Sequence, residues 1–434
     1  MEWREALRVY LSPAAFRMLF LGFSAGLPLL LVLGTLSFRL REAGIDRSTI
    51  GFLSWVGLAY AFKWAWAPLV DRLPLPFLQS RLGRRRSWLL LAQVAVVAGL
   101  LGMAQTDPQT DLQTLVAWAV LVAFGSATQD IALDAFRIES AQARHQAALA
   151  ATYQTGYRLA MIWAGAGVLW LAAGAQTDAS AYQHLAWRWA YAVMAASMSV
   201  GMLTVLCSVE PMAQPMPPAK DIKTWLRSAL IEPFAMFIRE HRWQAVLILA
   251  LIGSYRISDV VMGIMANPFY VDMGYTKEQV AAVSKVFGVI MTLLGAFIGG
   301  GLSMRFGVMR ILMLGAVLSS ASNLLFAWLA GQTPDLTRLI WVVSADNLAG
   351  GIASAAFIGY LSGLTQVQYS ATQYALFSSM MLLAPKWLAG FSGVFVDVHG
   401  YPTFFVATAL LGVPVLFLLL GVWRCSKRGA THPH

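Results

Sequence analysis

The sequence is poor in charge. Asp, Glu, Lys and Arg make up 12% of its 434 residues, about half the usual share of a soluble chain. A soluble fold of this length must cover its surface with polar groups, and this chain lacks them. The shortage of charge beside so much apolar content also excludes a disordered polymer. Cysteine is nearly missing: Cys207 and Cys425 are the two in the chain, each at the end of an apolar run. That excludes a disulfide scaffold, and neither thiol sits at a metal-ligand spacing. The six histidines lie mostly in loops or near segment ends, again without ligand spacing. No metal or other cofactor is expected. The chain also lacks a Ser/His/Asp set, a Cys/His pair and a phosphate loop, so an enzyme is not expected.

What the chain has is apolar residues, 58% of the total, with a mean hydropathy of +0.64. A membrane span needs about 20 mostly apolar residues. Such runs fall at 14–38, 50–70, 88–105, 112–134, 148–173 and 190–208, then at 244–270, 279–302, 309–331, 338–364, 374–397 and 402–423. The reading is an all-α polytopic membrane protein. An N-terminal six-helix bundle occupies 1–208 and a linker 209–243. A C-terminal six-helix bundle occupies 244–423 and a tail 424–434. The first run is too long for a signal peptide and has no small-residue cleavage site, so it reads as a retained helix.

The net charge is +10, and the bases sit in loops. Loops on one side carry 19 Lys and Arg, loops on the other carry 6. This bias predicts that both termini and the linker face the cytoplasm. Arg39, Arg41 and Arg47 in the first outer loop run against the bias. No basic stripe interleaved with exposed aromatics occurs, so nucleic acid is not an expected partner. The second half of the linker, 224–242, alternates apolar residues with bases and predicts an amphipathic helix on the inner membrane surface.

Six spans, a linker and six spans match the major facilitator architecture, whose halves are parallel repeats. The loop after span two, Ala67-Pro-Leu-Val-Asp71-Arg72 followed by Gly83-Arg84-Arg85-Arg86, resembles the facilitator signature G-x-x-x-D-R-x-G-R-R. The second half repeats it as Gly300-Gly-Leu-Ser-Met304-Arg305-Phe-Gly307, with a methionine in place of the acid. Longer stretches resemble a narrower family, the AmpG-type muropeptide permeases. They are LGFSAGLPLLLVLGTL, FKWAWAPLVDRLPLP with GRRRSWLL, SATQDIALDAFRIE, GYRLAMIWAGAGVLWLA, YRISDV, VSKVFGVIMTLLGAFIGG and DNLAGGIASAAFIGYLSGL with SATQYALFSS. The resemblance spans nearly the whole chain. It implies proton-coupled import of anhydro-muropeptides across a bacterial inner membrane by a monomer, with the lipid bilayer as its other partner. The Gln-Asp-x-x-x-Asp run is also similar to acetyl-coenzyme A transporters, so another bulky anion or a lipid stands as the alternative cargo.

Ionisable groups inside a membrane are costly and mark a pathway or a buried pair. The acids Asp130, Asp134, Asp259 and Asp346 are candidates for proton coupling. Asp130 and Asp134 are four apart and share a helix face, so they should not both ionise in a low dielectric. Asp134 has a second reading, in a conformational charge network with Asp71, Arg72, Arg84 and Arg86. Candidates for substrate binding are Arg158, Gln154, Gln129, Arg256, Lys285, Lys386 and Asn347. Arg158 lies about 15 Å into span five and Lys386 about 18 Å into span eleven. Arginine offers a planar fork that fits a carboxylate. Arg256 and Asp259, three apart, suit a pair, as do Gln154 and Arg158, four apart. Lys63 reads as structural. Trp163 and Trp170, seven apart, would share a face for sugar stacking, although most tryptophans in such proteins pack or form belts.

Overall fold

The computed structural model describes residues 8–45, 53–177, 182–212, 231–275, 277–280, 283, 287–389 and 391–430. Among them every regular element is helical. Ten helices are long and apolar enough to cross a membrane. They are spans one (Pro13–Leu40), three (Arg84–Gln105), four (Leu112–Ser140), five (Ala143–Ala175) and six (His184–Cys207) of the first half. In the second half they are spans seven (Gln244–Ala266), eight (Gly288–Phe306), nine (Val308–Ala330), ten (Leu336–Leu364) and twelve (Ser392–Cys425). The remaining two expected segments are also present. Span eleven is the helix Ser370–Ala389. Span two, residues 54–72, is broken into short 3-10 and α pieces. The last piece starts at Ala67 with Pro68 in its first turn, where the missing N–H interrupts the ladder.

Other helices are interrupted as well. Span seven unwinds for one turn at Tyr255 and Arg256. Span five carries a π-turn at Trp163–Gly167. At the far end of span eleven the chain continues from Ser392 and turns at Gly400, whose φ is 76°. That turn falls in the gap expected between residues 397 and 402.

Within each half, small residues let helices approach closely. Gly22 and Gly26 of span one lie on the backbone of span five at Tyr153 and Tyr157, and Gly156 lies on Leu19 in return. A side chain at any of them would push the two helices apart. Between halves, span five packs on spans eight and ten, and span eleven on spans two and four. Counting six spans onward turns the first set into the second, as a parallel repeat requires. The repeat extends to backbone detail. Gly83 before span three and Gly307 before span nine have φ of 84° and 88°, a conformation that favours glycine.

Of the linker, residues 213–230 lie outside the described set. The helix Glu232–His241 is present where an amphipathic helix was expected. It buries Pro233 and Phe237, leaves Ile238 and Arg239 exposed, and stacks Phe237 on Phe377 of span eleven with ring centroids 5.1 Å apart.

Candidate functional site

Between the halves lies a cavity of about 350 Å³. Arg158 lines it from the first half. Arg256, Asp259, Asp346, Asn347 and Ser354 line it from the second. The break in span seven sets Arg256 free of regular helix, and its Nε pairs with Asp259 Oδ2 at 3.2 Å. Its Nη1 donates to Ser354 Oγ at 2.8 Å, which ties spans seven and ten together. Asp346 accepts from the Ser322 hydroxyl at 2.8 Å. Asn347 accepts from the Thr292 hydroxyl at 2.9 Å and donates to the Val343 carbonyl at 2.8 Å. Each of these groups is held. Arg158 is not: among the described residues its guanidinium meets only the Met161 sulfur, 4.0 Å from Nη1. A thioether is a weak acceptor, so this cation faces the cavity with its fork available.

Other expected site residues lie elsewhere. Gln129 is fully buried and donates to Ser24 Oγ at 3.0 Å; Gln93 donates to the same oxygen at 3.1 Å. It therefore joins spans one, three and four and stands apart from the cavity lining. Gln154 is half-buried, one turn before Arg158, and makes no hydrogen bond to it among the described residues. Lys386 is exposed and off the lining. The helix that carries it begins at Ser370, earlier than its hydropathy suggested. Lys386 is therefore about 24 Å along the helix, towards the far end and away from the centre. Lys285 lies outside the described residues. Trp163 donates to Ser197 Oγ at 3.0 Å and packs on span six, while Trp170 is exposed. The π-turn between them shifts the helix phase, and neither lines the cavity.

Asp130 has Lys63 and Asp134 as charged neighbours, and its Oδ1 is buried without a hydrogen-bond partner. Asp134 pairs with Arg137 at 3.3 Å, not with Arg84 or Arg86. Arg137 lies three residues on, on the same face, whereas the arginines of the span-three loop are taken up by other groups.

Those groups form the seal at the end that carries the basic loops. Asp71 is buried and accepts from four donors. Arg85 Nη2 lies at 2.6 Å and the Ala371 amide at 3.2 Å. The Thr372 amide and hydroxyl lie at 2.8 and 2.6 Å. Ala371 and Thr372 open span eleven, so a first-half carboxylate caps a second-half helix, where the helix dipole also favours an anion. Arg85 also holds Glu139 at 2.6 Å, and Ser370 donates to Glu139 at 2.6 Å. Arg137 donates to Gln146 at 2.8 Å and to Ser362 of span ten at 2.9 Å.

The four residues expected in this network divide. Asp71 is its centre. Arg84 supports it, through the Asp71 carbonyl at 3.0 Å and Glu139 at 3.6 Å. Arg72 pairs instead with Glu232 of the linker helix at 3.5 Å and meets Tyr369. Arg86 leaves the network altogether and caps the end of span six, at the Val205 and Leu206 carbonyls. Arg85, Glu139 and Arg137 do the work expected of it. All three lie inside motifs quoted above, but spacing alone gave no reason to prefer Arg85 over its neighbours.

Glu210 was also missed. It accepts from the Arg85 and Arg86 amides at 2.7 and 3.0 Å, capping span three. Burial pushes its carboxyl up, against the pull of those two amides.

At the opposite end Arg39 is fully buried. It donates to the carbonyls of Met103 and Thr106 at 2.7 and 2.8 Å and so caps the end of span three. Glu42 beside it accepts from Trp187 and Gln176. Arg39 is thus a helix cap, which explains a cation on the side where the loops are poor in charge.

The Major Facilitator Superfamily family model matches residues 18–294. The anhydromuropeptide permease of Escherichia coli K12 is 36% identical over 96% of this chain and 81% of its own. A Rickettsia felis relative named AmpG 4 is 33% identical over 95% of this chain and 97% of its own. Among solved structures, the transporter FucP in its outward conformation is similar with a TM-score of 0.70, at 14% identity, over 95% of this chain and 99% of its own. At that identity the likeness concerns the fold alone.

Proposed function

This chain belongs to the Major Facilitator Superfamily, to its AmpG-type permeases, and from that premise we propose that it imports anhydro-muropeptides with protons. The carrying observation is the cavity at the junction of the halves, where Arg158, which among the described residues bonds only to the Met161 sulfur, shares the lining with a held Arg256–Asp259 pair. Muropeptides bear lactyl and peptide carboxylates that a guanidinium fork receives well. Ser354, Asn347 and Thr292 offer short polar groups at sugar scale on the facing wall. The volume falls at the small end of ligand pockets, which suits the anhydro-sugar with its lactyl group. The peptide then extends along the cleft.

In this reading the basic loops, both termini and the linker face the cytoplasm of a bacterium. The seal around Asp71 then closes the inner end, and cargo enters from the periplasm. Asp259 and Asp346 in the cavity, and Asp130 with Asp134 deeper in the first half, are the carboxylates available to protons. The transporter works as a monomer, because each half supplies part of one site. The alternative cargo, acetyl-coenzyme A or a lipid, rests on a single short motif. Calorimetric titration of the purified protein separates them. Saturable binding of anhydro-muropeptide that is lost in Arg158→Ala supports the proposal. Binding of acetyl-coenzyme A with no heat from muropeptide overturns it.

A further inference from the structure

The two halves repeat each other, yet the closed end is locked by different chemistry on its two sides. Matching Asp71-Arg72 with Met304-Arg305 and, across the insertion that follows in the first half, Gly83 with Gly307 puts Met304 where the first half has Asp71, and Met309 where it has Arg85. The ionic lock cannot be repeated there. Met304 instead packs its buried side chain on Ala148 at the start of span five, with Val9 and Tyr10 against the same cluster. Tyr10 reaches further. Its hydroxyl donates to the Phe297 carbonyl of span eight at 2.6 Å, and its ring lies 5.0 Å from that of Phe297. Gly300 makes the room: a side chain there would strike the Tyr10 hydroxyl and come within 3.1 Å of the Ala147 carbonyl.

Tyr10 precedes Ser12, the residue that caps the first helix of span one. It is therefore tied to the first half while its acceptor belongs to the second. We infer that Tyr10 is a positioning residue for transport: a latch that holds the first half against span eight and is released each time this end opens. The hydrogen bond and the Met304 contact cross the plane along which the halves part, so both exist only in the closed state. The Asp71 side is held by charge-assisted hydrogen bonds from span eleven; the Tyr10 side is apolar with one neutral hydrogen bond. The latch thus adds a contact between the halves that does not depend on the charge of Asp71. The inference does not depend on which substrate is carried.

The test uses the full-length protein in nanodiscs, with Cys207 and Cys425 replaced and spin labels on Ser80 and Arg310. Both sites are exposed and lie at the same end of opposite halves. Tyr10→Phe removes only the hydroxyl. One neutral hydrogen bond corresponds to roughly a fivefold change in an equilibrium, so the separated population should rise about fivefold without substrate. Gly300→Ala, which displaces the hydroxyl from the other helix, should shift it the same way. A purely structural Tyr10 would lower the unfolding temperature and leave the distances alone. A separated population within twofold of the parent in both variants, with Asp71→Asn raising it as a positive control, would overturn the latch. No substrate is present, so an error in the proposed cargo leaves this outcome untouched.

Discussion

Replacing Asp71 by Asn should open the sealed end. The perturbation is small in shape and large in charge. Asp71 receives the Ala371 amide, the Thr372 amide and the Thr372 hydroxyl from span eleven, at 3.2, 2.8 and 2.6 Å. These three bonds join the halves and break when the end opens. The Arg85 bond stays within the first half and survives opening. In Asn one carboxylate oxygen becomes an NH2, and both oxygens now face donors. At least one cross-half bond is lost, and the rest fall from charge-assisted to neutral strength. Charged bonds contribute about 1.5–3 kcal/mol each and neutral ones about 0.5–1.5 kcal/mol. The closed state should therefore lose about 3 kcal/mol relative to the open state. That corresponds to roughly a hundredfold change in their ratio. The assay is the spin-label distance between Ser80 and Arg310, or the alkylation rate of a single cysteine at Leu149, which lines the pocket beside Glu139. An unchanged distance distribution in Asp71→Asn, in protein of normal thermal stability, would refute the reasoning.

The other predictions concern the cavity, the proton and a cap. Arg158→Ala should weaken muropeptide binding by about 2 kcal/mol, near thirtyfold, with membrane yield unchanged. Titration calorimetry reads it, and Arg158→Lys should recover only part, because the fork is lost. Asp130→Asn mimics a protonated acid. It should retain exchange between two muropeptide pools and lose accumulation driven by a proton gradient; continued accumulation would remove Asp130 as the carrier. Glu210→Ala should lower thermal stability by about 1 kcal/mol through loss of the span-three cap. Glu210→Gln should keep only about half of it, since one oxygen still accepts while the NH2 faces the other amide. Burial raises this carboxyl in the folded state. Folded protein therefore holds the proton more tightly, and the contribution of Glu210 to stability declines as pH rises through that range.

Hydropathy made most of the fold legible, because spans announce themselves by length. It gave less of the detail where polar residues interrupt a helix or extend it. Span two is broken around Lys63 and Pro68, and span eleven starts four residues before its apolar run. The site was legible where the partner lies one turn away. The Arg256–Asp259 pair follows from a spacing of three, and the structure has it. It was illegible where the partner lies across the molecule. Nothing in the order of residues says that Asp71 meets Thr372, or that Ser24 draws Gln129 out of the cavity. Charge counting misread Arg39 for the same reason: the sequence shows a cation in a loop, and the structure shows one bonded to the carbonyls at the end of span three.

The energetics of import set the decisive measurement. One charge moving inward through 100 mV releases about 2.3 kcal/mol. A tenfold concentration gain takes about 1.4 kcal/mol. One proton therefore suffices if the negative charge of the cargo is offset, and an anionic cargo calls for more than one. The direct test is uptake of labelled anhydro-muropeptide into proteoliposomes with an imposed inward proton gradient. The account predicts accumulation above the outside concentration, collapse on adding a protonophore, and no accumulation in Arg158→Ala. Liposomes that leave muropeptide outside under the gradient, yet take up acetyl-coenzyme A or flip a lipid, would contradict it.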